Sequence, residues 1–170
     1  MNVMPVEIFI YESTKEDYGI NFVGWSYCIV RDNAIIKEGM GGCSGKNADY
    51  RRVRLVALAK VLEESLKCTN SRKDYVKVRL TSKYLVNVYL KEYWKKWIRS
   101  QWYDYYKHEE IPYSREWLRI IPFFKNNRYT FTLNDGRRSE FLYKCMDEAQ
   151  TACEIFRREW RGKPDERELK

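Results

Sequence analysis

Apolar positions along the chain fall into two periods, and the switches between them outline the fold. Val6 to Ile10 is a short apolar run that reads as a buried strand, and Tyr18-Gly19 marks a turn after it. Phe22 to Val30 alternates and is rich in strand formers. Asp32-Asn33 then reverses the chain into a third strand, Ala34 to Gly39. Gly41, Gly42 and Gly45 predict a loop, with Asn47 or Asp49 placed to cap the next helix. From Arg51 to Leu66 the period becomes helical, with Leu55, Leu58, Ala59, Leu62 and Leu66 on one face.

Asn70 to Lys73 breaks that helix and Tyr75 to Leu80 forms a fourth strand. Ser82 to Tyr106 is helical in pattern with a bend near Leu90. Ser114 can cap a short helix ended by Pro122. Tyr129 to Leu133 alternates as a fifth strand before the turn signal Asn134-Asp135-Gly136. A final helix, about Ser139 to Arg161, turns Leu142, Cys145, Ala149, Ala152, Cys153 and Phe156 inward. The predicted order is β-β-β-α-β-α-α-α-β-α. This is an α/β chain whose five-stranded mixed sheet opens with an antiparallel meander and is flanked by helices. It is expected as one domain over 1–161, followed by a charged tail over 162–170.

Composition narrows the classes. The 170 residues are 44% hydrophobic and 33% charged, as in globular proteins generally, but 16% are aromatic and 14 are tyrosine. No window approaches the ~18 consecutive apolar residues of a membrane span, so no membrane partner is expected. The first ten residues carry no basic region or cleavage signature of a secretory leader. The five cysteines form no C-x-x-C pair, and there is one histidine, His108. Small buried thiols in a reducing, cytoplasmic setting are the expectation, with no metal and no cofactor. A net charge of +8 points to a polyanionic partner.

Several strings, in this order, resemble the type 1 ribonuclease H family across about residues 5–160. Val6-Glu7-Ile8-Phe9-Ile10-Tyr11-Glu12-Ser13 is similar to the family's first strand, V-E-I-F-T-D-G-S. Arg52-Val53-Arg54-Leu55-Val56-Ala57 resembles R-x-E-L-x-A at the start of its first helix. Leu80-Thr81-Ser82-Lys83-Tyr84 resembles T-D-S-x-Y. Trp97 and Trp102 match the tryptophan spacing of the basic helix. Cys145-Met146-Asp147-Glu148-Ala149 is similar to C-D-x-x-A in the last helix.

The resemblance implies the ribonuclease H fold, and implies that four carboxylates at these strings would hold two magnesium ions across the scissile phosphate. The matching positions here are Tyr11, Arg54, Thr81 and Met146, none of them a carboxylate. Glu12 and Asp147 each lie one residue beyond a lost position. One step on a strand reverses the side chain, and one step on a helix rotates it by ~100°, so neither is expected to restore the site. Leu133 to Arg138 contains no histidine where the family has its mobile histidine loop. The chain is therefore read as a pseudoenzyme, a degenerate member of the family.

Arg51, Arg52 and Arg54 open the first helix. They form either a solvated basic turn or an anion site in which arginines and free backbone N–H groups converge on a phosphate; the resemblance implies that Arg54 points into the family's metal centre. Tyr93, Lys95, Lys96, Trp97, Arg99 and Trp102 interleave aromatic and basic residues, as nucleic-acid grooves do. The alternative is a core stripe of Trp94, Ile98 and Trp102 with cations behind it. Tyr103-Asp104-Tyr105-Tyr106 suits a protein interface as well. Arg137 and Arg138 could reach the same anionic ligand or simply cover a loop. The expectation is a non-catalytic module binding RNA–DNA hybrid or double-stranded RNA. The alternatives are a protein-interaction scaffold and a nuclease with a rebuilt site.

Overall fold

A computed structural model of the chain describes residues 5–45, 49–134 and 139–160. Asn47, Asp135, Gly136, Arg137, Arg138 and the tail over 162–170 lie outside them. Three long strands come first: β1 (Val6–Asp17), β2 (Ile20–Arg31) and β3 (Ala34–Gly45). Their connections are two-residue turns, Tyr18-Gly19 and Asp32-Asn33, with all four residues at positive φ. That backbone matches the right-handed twist of a hairpin. Next come α1 (Tyr50–Cys68), β4 (Val76–Leu80), α2 (Lys83–Leu90) and α3 (Tyr93–Arg99). A short ribbon of β5 (Tyr103–Asp104) and β6 (Glu109–Glu110) precedes α4 (Ser114–Phe124), β7 (Tyr129–Leu133) and α5 (Glu140–Glu159). The main sheet runs β3-β2-β1-β4-β7, antiparallel through the first three strands and parallel from β1 through β4 to β7. The expected mixed sheet and its order are present.

Hydrophobic clusters cover both faces of this sheet. On one face Ile8, Ile10, Val23, Trp25, Tyr27 and Ile29 pack beneath α1 and α4; on the other Phe9, Cys28 and Val30 meet Cys145 of α5. Alternation along β2 thus divides its side chains between the layers. Gly24 lets α5 settle onto the strand, because a Cβ there would collide with the backbone of Ala149 and Cys153.

Several local expectations need correction. Gly41, Gly42 and Gly45 are in β3 and not in a loop. A Cβ at Gly42 would meet the Val23 carbonyl oxygen at 2.4 Å and the Phe156 ring at 2.8 Å, so the glycine admits both the neighbouring strand and the α5 side chain. Leu66 is 53% exposed, turned away from the α1 face it was expected to join. The expected bent helix over 82–106 is two helices split at Glu92, whose φ of 54° breaks the first, and it ends at Arg99. The tyrosine-rich segment beyond it forms the ribbon, because Asp104 accepts from the Tyr106 and Lys107 backbone N–H groups and turns the chain. Ser114 is the first residue of α4, after Tyr113 at φ 66°, and supplies no cap. That helix passes Pro122 and ends at Phe124, since burial of Phe123 and Phe124 outweighs the hydrogen bond that proline forfeits.

Candidate functional site

Two helix starts and one strand meet beside Arg54 and Thr81, two of the four positions matched to the family's carboxylates. Asp49 caps α1, accepting from the Arg51 backbone N–H at 2.9 Å, and Ser82 caps α2 through Leu85. These caps bring Arg54 and Thr81 within reach of β1. Glu12 sits between them: its Oε1 is 2.8 Å from Arg54 Nε, and its Oε2 accepts from the Thr81 hydroxyl at 3.0 Å. Arg54 also donates to Ser82 Oγ at 3.3 Å. Burial pushes the Glu12 carboxyl above its ordinary range, while the Arg54 charge and the Thr81 hydrogen bond pull it down.

Glu12 is the site residue that sequence reasoning missed. Even-numbered side chains of β1 face α1, as Ile8 and Ile10 do, so Glu12 turns toward Arg54. Tyr11 turns the other way and packs with Phe9 and Phe141. The one-step rule holds, but it is Tyr11 that leaves. Continuing the alternation from Val6 through Ile8 and Ile10 would have found this. Met146 is half-buried on α5, which covers the Tyr11 face, and Asp147 is exposed. The four expected positions therefore divide between two faces of the sheet.

The arginines differ in availability. Arg52 is paired with Glu116 at 3.1 Å, and Arg54 is balanced by Glu12. Arg51 is exposed, its guanidinium 5.8 Å from the centroid of the Tyr50 ring. At the α1 terminus the Asp49 side chain takes the Arg51 backbone N–H, so an anion there would meet the Arg51 guanidinium beside the cap. Arg51 and Arg54 line a cleft of about 430 Å³ with Tyr50, Tyr84, Tyr113 and Trp117. The Tyr113 hydroxyl contacts the Asp49 carboxylate, and burial together with that contact pushes it up to about 12.

On α3 the aromatic residues separate into two sets. Trp94 is buried, and Trp97 packs against Trp102 and Trp117 at 5.9 and 5.3 Å. Trp97 and Trp102 are thus framework, half-buried against the core. Ile98 is 39% exposed, which corrects the Trp94, Ile98, Trp102 stripe. Solvent meets Tyr93, Lys95, Lys96 and Arg99. Lys95 is paired with Glu92 at 2.9 Å, and Lys96 lies 5.8 Å from the Tyr106 ring centroid. Tyr105 and Tyr106 stand well exposed on the ribbon, with His108 exposed beside them. All five cysteines are free thiols; Cys28 and Cys145 sit with their sulfurs 3.5 Å apart.

The sequence matches no protein-family model and no curated protein. Among solved structures, the fold is similar to the foamy viral protease–reverse transcriptase in complex with an RNA/DNA hybrid, at a TM-score of 0.73 and 9% identity. That match covers 90% of this chain and 20% of the viral one. The prototype foamy virus RNase H domain in solution gives 0.66 at 14% identity, over 89% of this chain and 93% of that one. RNase H1 of the halophilic archaeon Halobacterium salinarum gives 0.53 at 17%, over 89% and 99%. The chain therefore has the ribonuclease H fold.

A pair of magnesium ions does not fit the described residues. Both oxygens of Glu12 are already engaged, Arg54 opposes a cation at close range, and the ion needs several hard oxygen ligands. Among the described residues no three His, Cys, Asp or Glu side chains are grouped to hold a metal, and no helix is long and apolar enough to cross a membrane.

Proposed function

We propose that the chain is a non-catalytic ribonuclease H-type module that binds structured nucleic acid, an RNA–DNA hybrid or double-stranded RNA. The Glu12–Arg54–Thr81 cluster carries this reading. An active two-metal centre presents several carboxylates, which repel a phosphate unless divalent ions stand between them. Here one carboxylate is balanced by one guanidinium, and Arg51 adds an exposed positive charge. A phosphate backbone can approach such a surface directly. Lys96, Arg99 and Tyr93 of α3 offer a second contact, combining charge with an exposed ring. A solved neighbour with this fold is in complex with an RNA/DNA hybrid and another with double-stranded DNA, which supports a duplex ligand. Free thiols suit a reducing, cytoplasmic setting.

A protein-scaffold reading has one observation of its own, the 67% and 90% exposure of Tyr105 and Tyr106. Titration against labelled hybrid, both duplex types and single strands at two salt concentrations decides between them. Tight, salt-sensitive duplex binding that survives chelation is expected. Absence of duplex binding would favour the scaffold. Hybrid cleavage in magnesium or manganese that disappears in Glu12→Gln would restore the nuclease.

A further inference from the structure

The cleft beside Arg54 has features that a phosphate backbone does not need. At about 430 Å³ it falls within the ~300–1,000 Å³ range of small-ligand pockets. Its apolar lining comes from Leu55, Leu85 and Trp117, and its aromatic lining from Tyr50, Tyr84 and Tyr113. Two of these rings are held in place. Tyr50 has the Arg51 and Arg54 guanidinium carbons 5.8 and 5.6 Å from its centroid, and Tyr113 is tied to Asp49. Tyr84 is 56% exposed, so much of its surface is open to solvent. Arg51 lies on the rim, near enough to Tyr84 to counter the upward pull of burial on that hydroxyl.

We infer that this cleft binds a single unpaired nucleotide, its base stacked among Tyr50, Tyr84 and Tyr113 and its phosphate against Arg51. The occupant follows from the lining. Several aromatic rings along an apolar cleft favour a flat heterocycle, which stacks without needing a particular pattern of base edges. A guanidinium at the rim suits an anion attached to that ring. Asp49 would oppose a phosphate, but its oxygens are taken up by the Arg51 N–H and the Tyr113 hydroxyl. With the Tyr113 hydroxyl pushed up to about 12, that ring stays neutral at physiological pH. Fixed rings reduce the ordering that binding requires. The inference rests on the reading of the chain as a nucleic-acid-binding module and adds a place for a frayed or overhanging end.

The test uses the full chain and four probes followed by tyrosine and tryptophan fluorescence: adenosine 5′-monophosphate, adenosine, inorganic phosphate and a proline-rich peptide. The monophosphate is expected to bind more tightly than adenosine, and both more tightly than phosphate. Tyr84→Ala, on an exposed side chain, should weaken both adenosine ligands about tenfold, as removal of one base-stacking ring does. Arg51→Ala should abolish the preference for the monophosphate over adenosine, with circular dichroism confirming the fold of both variants. Hybrid with a single-stranded overhang should bind more tightly than blunt hybrid, and Tyr84→Ala should remove that difference. Monophosphate binding without an overhang preference would mark a free nucleotide as the ligand and overturn the strand-end assignment. Blunt hybrid binding with no response to monophosphate would overturn the cleft while leaving the module's function standing. Monophosphate binding without any duplex binding would do the reverse. A response to the peptide alone would overturn the cleft in favour of a protein partner.

Discussion

Arg54 Nε lies 2.8 Å from Glu12 Oε1 and so ties the start of α1 to the middle of β1. Thr81, just past the end of β4, donates to the other Glu12 oxygen. One carboxylate therefore joins three elements where the sequence led us to expect only a charge reversal. The arrangement also alters what Arg54 can do: it is the partner of a largely buried acid first, and any role toward a phosphate is secondary.

The pair predicts how substitution at Arg54 will behave. Arg54→Glu places a second carboxylate against Glu12, and breaking a buried pair in this way costs on the order of 3–5 kcal/mol. The denaturation midpoint should fall accordingly. Part of the loss should return as pH is lowered and Glu12 takes up a proton. The double variant Glu12→Gln, Arg54→Gln should recover most of the stability, because it leaves no charge unpaired. An Arg54→Glu midpoint equal to that of the unaltered protein would show that the pair does not form in solution. Binding is best compared in the double variant, where folding is not in question.

The strand register was legible because β2 is buried on both faces and its alternation separates Val23, Trp25, Tyr27 and Ile29 from Phe22, Cys28 and Val30. Sequence was misleading where a residue's role depends on a distant neighbour. Gly42 looks like a loop residue until Val23 of β2 and Phe156 of α5 are placed against it. Pro122 ends a helix by local rules, yet the aromatic core holds Phe123 and Phe124 helical. Among the site residues, Arg52 and Arg54 had the same local pattern as Arg51. Only the fold brings Glu116 and Glu12 to the first two and leaves Arg51 exposed.

A second ion pair gives a pH prediction. Asp74 accepts from both terminal nitrogens of Arg31, at 3.0 and 2.8 Å, and from the Asn70 backbone N–H. The Arg31 hydrogen bonds, and then that of Asn70, hold its carboxyl below its ordinary value of 3.8. A carboxyl depressed by folding stabilises the native state above its unfolded pKa, and the gain disappears as pH falls through the folded one. Asp74→Asn should therefore cost roughly 1.5–3 kcal/mol at neutral pH, the scale of hydrogen bonds to a charged group. The difference from the unaltered protein should shrink below about pH 4. A pH-independent difference would assign the loss to packing.

The cations of α3 should contribute unequally to binding. Lys95 is paired with Glu92, whereas Lys96 and Arg99 face solvent without that constraint. If the helix lies along phosphates, neutralising Lys96 or Arg99 should make the slope of log affinity against log salt shallower by roughly one for each phosphate that is no longer neutralised. Neutralising Lys95 should change it less, because Glu92 already offsets its charge. Affinity should fall by similar factors on all sequences tested. Equal, unaltered slopes for the three variants would take this helix out of the nucleic-acid surface.

Tyr93 and Trp97 separate ligand contact from framework within a single turn of α3. Trp97 is half-buried against Trp102 and Trp117, so removing its ring opens space beside the buried Trp117. Trp97→Ala should cost roughly 2–3 kcal/mol, somewhat below the ~3–5 of a fully buried tryptophan. Tyr93 is 39% exposed at the start of the helix and should tolerate Tyr93→Ala within about 0.5 kcal/mol, as surface positions do. Binding should reverse this order. Below the Trp97→Ala melting transition, that variant should bind duplex almost normally, while Tyr93→Ala weakens it by about fivefold or more because its ring no longer meets the ligand. Measured together, thermal midpoints and affinities form a crossed pattern. If Trp97→Ala loses affinity at a temperature where it is fully folded, while Tyr93→Ala loses none, the division of α3 into a contacting Tyr93 and a framework Trp97 is overturned.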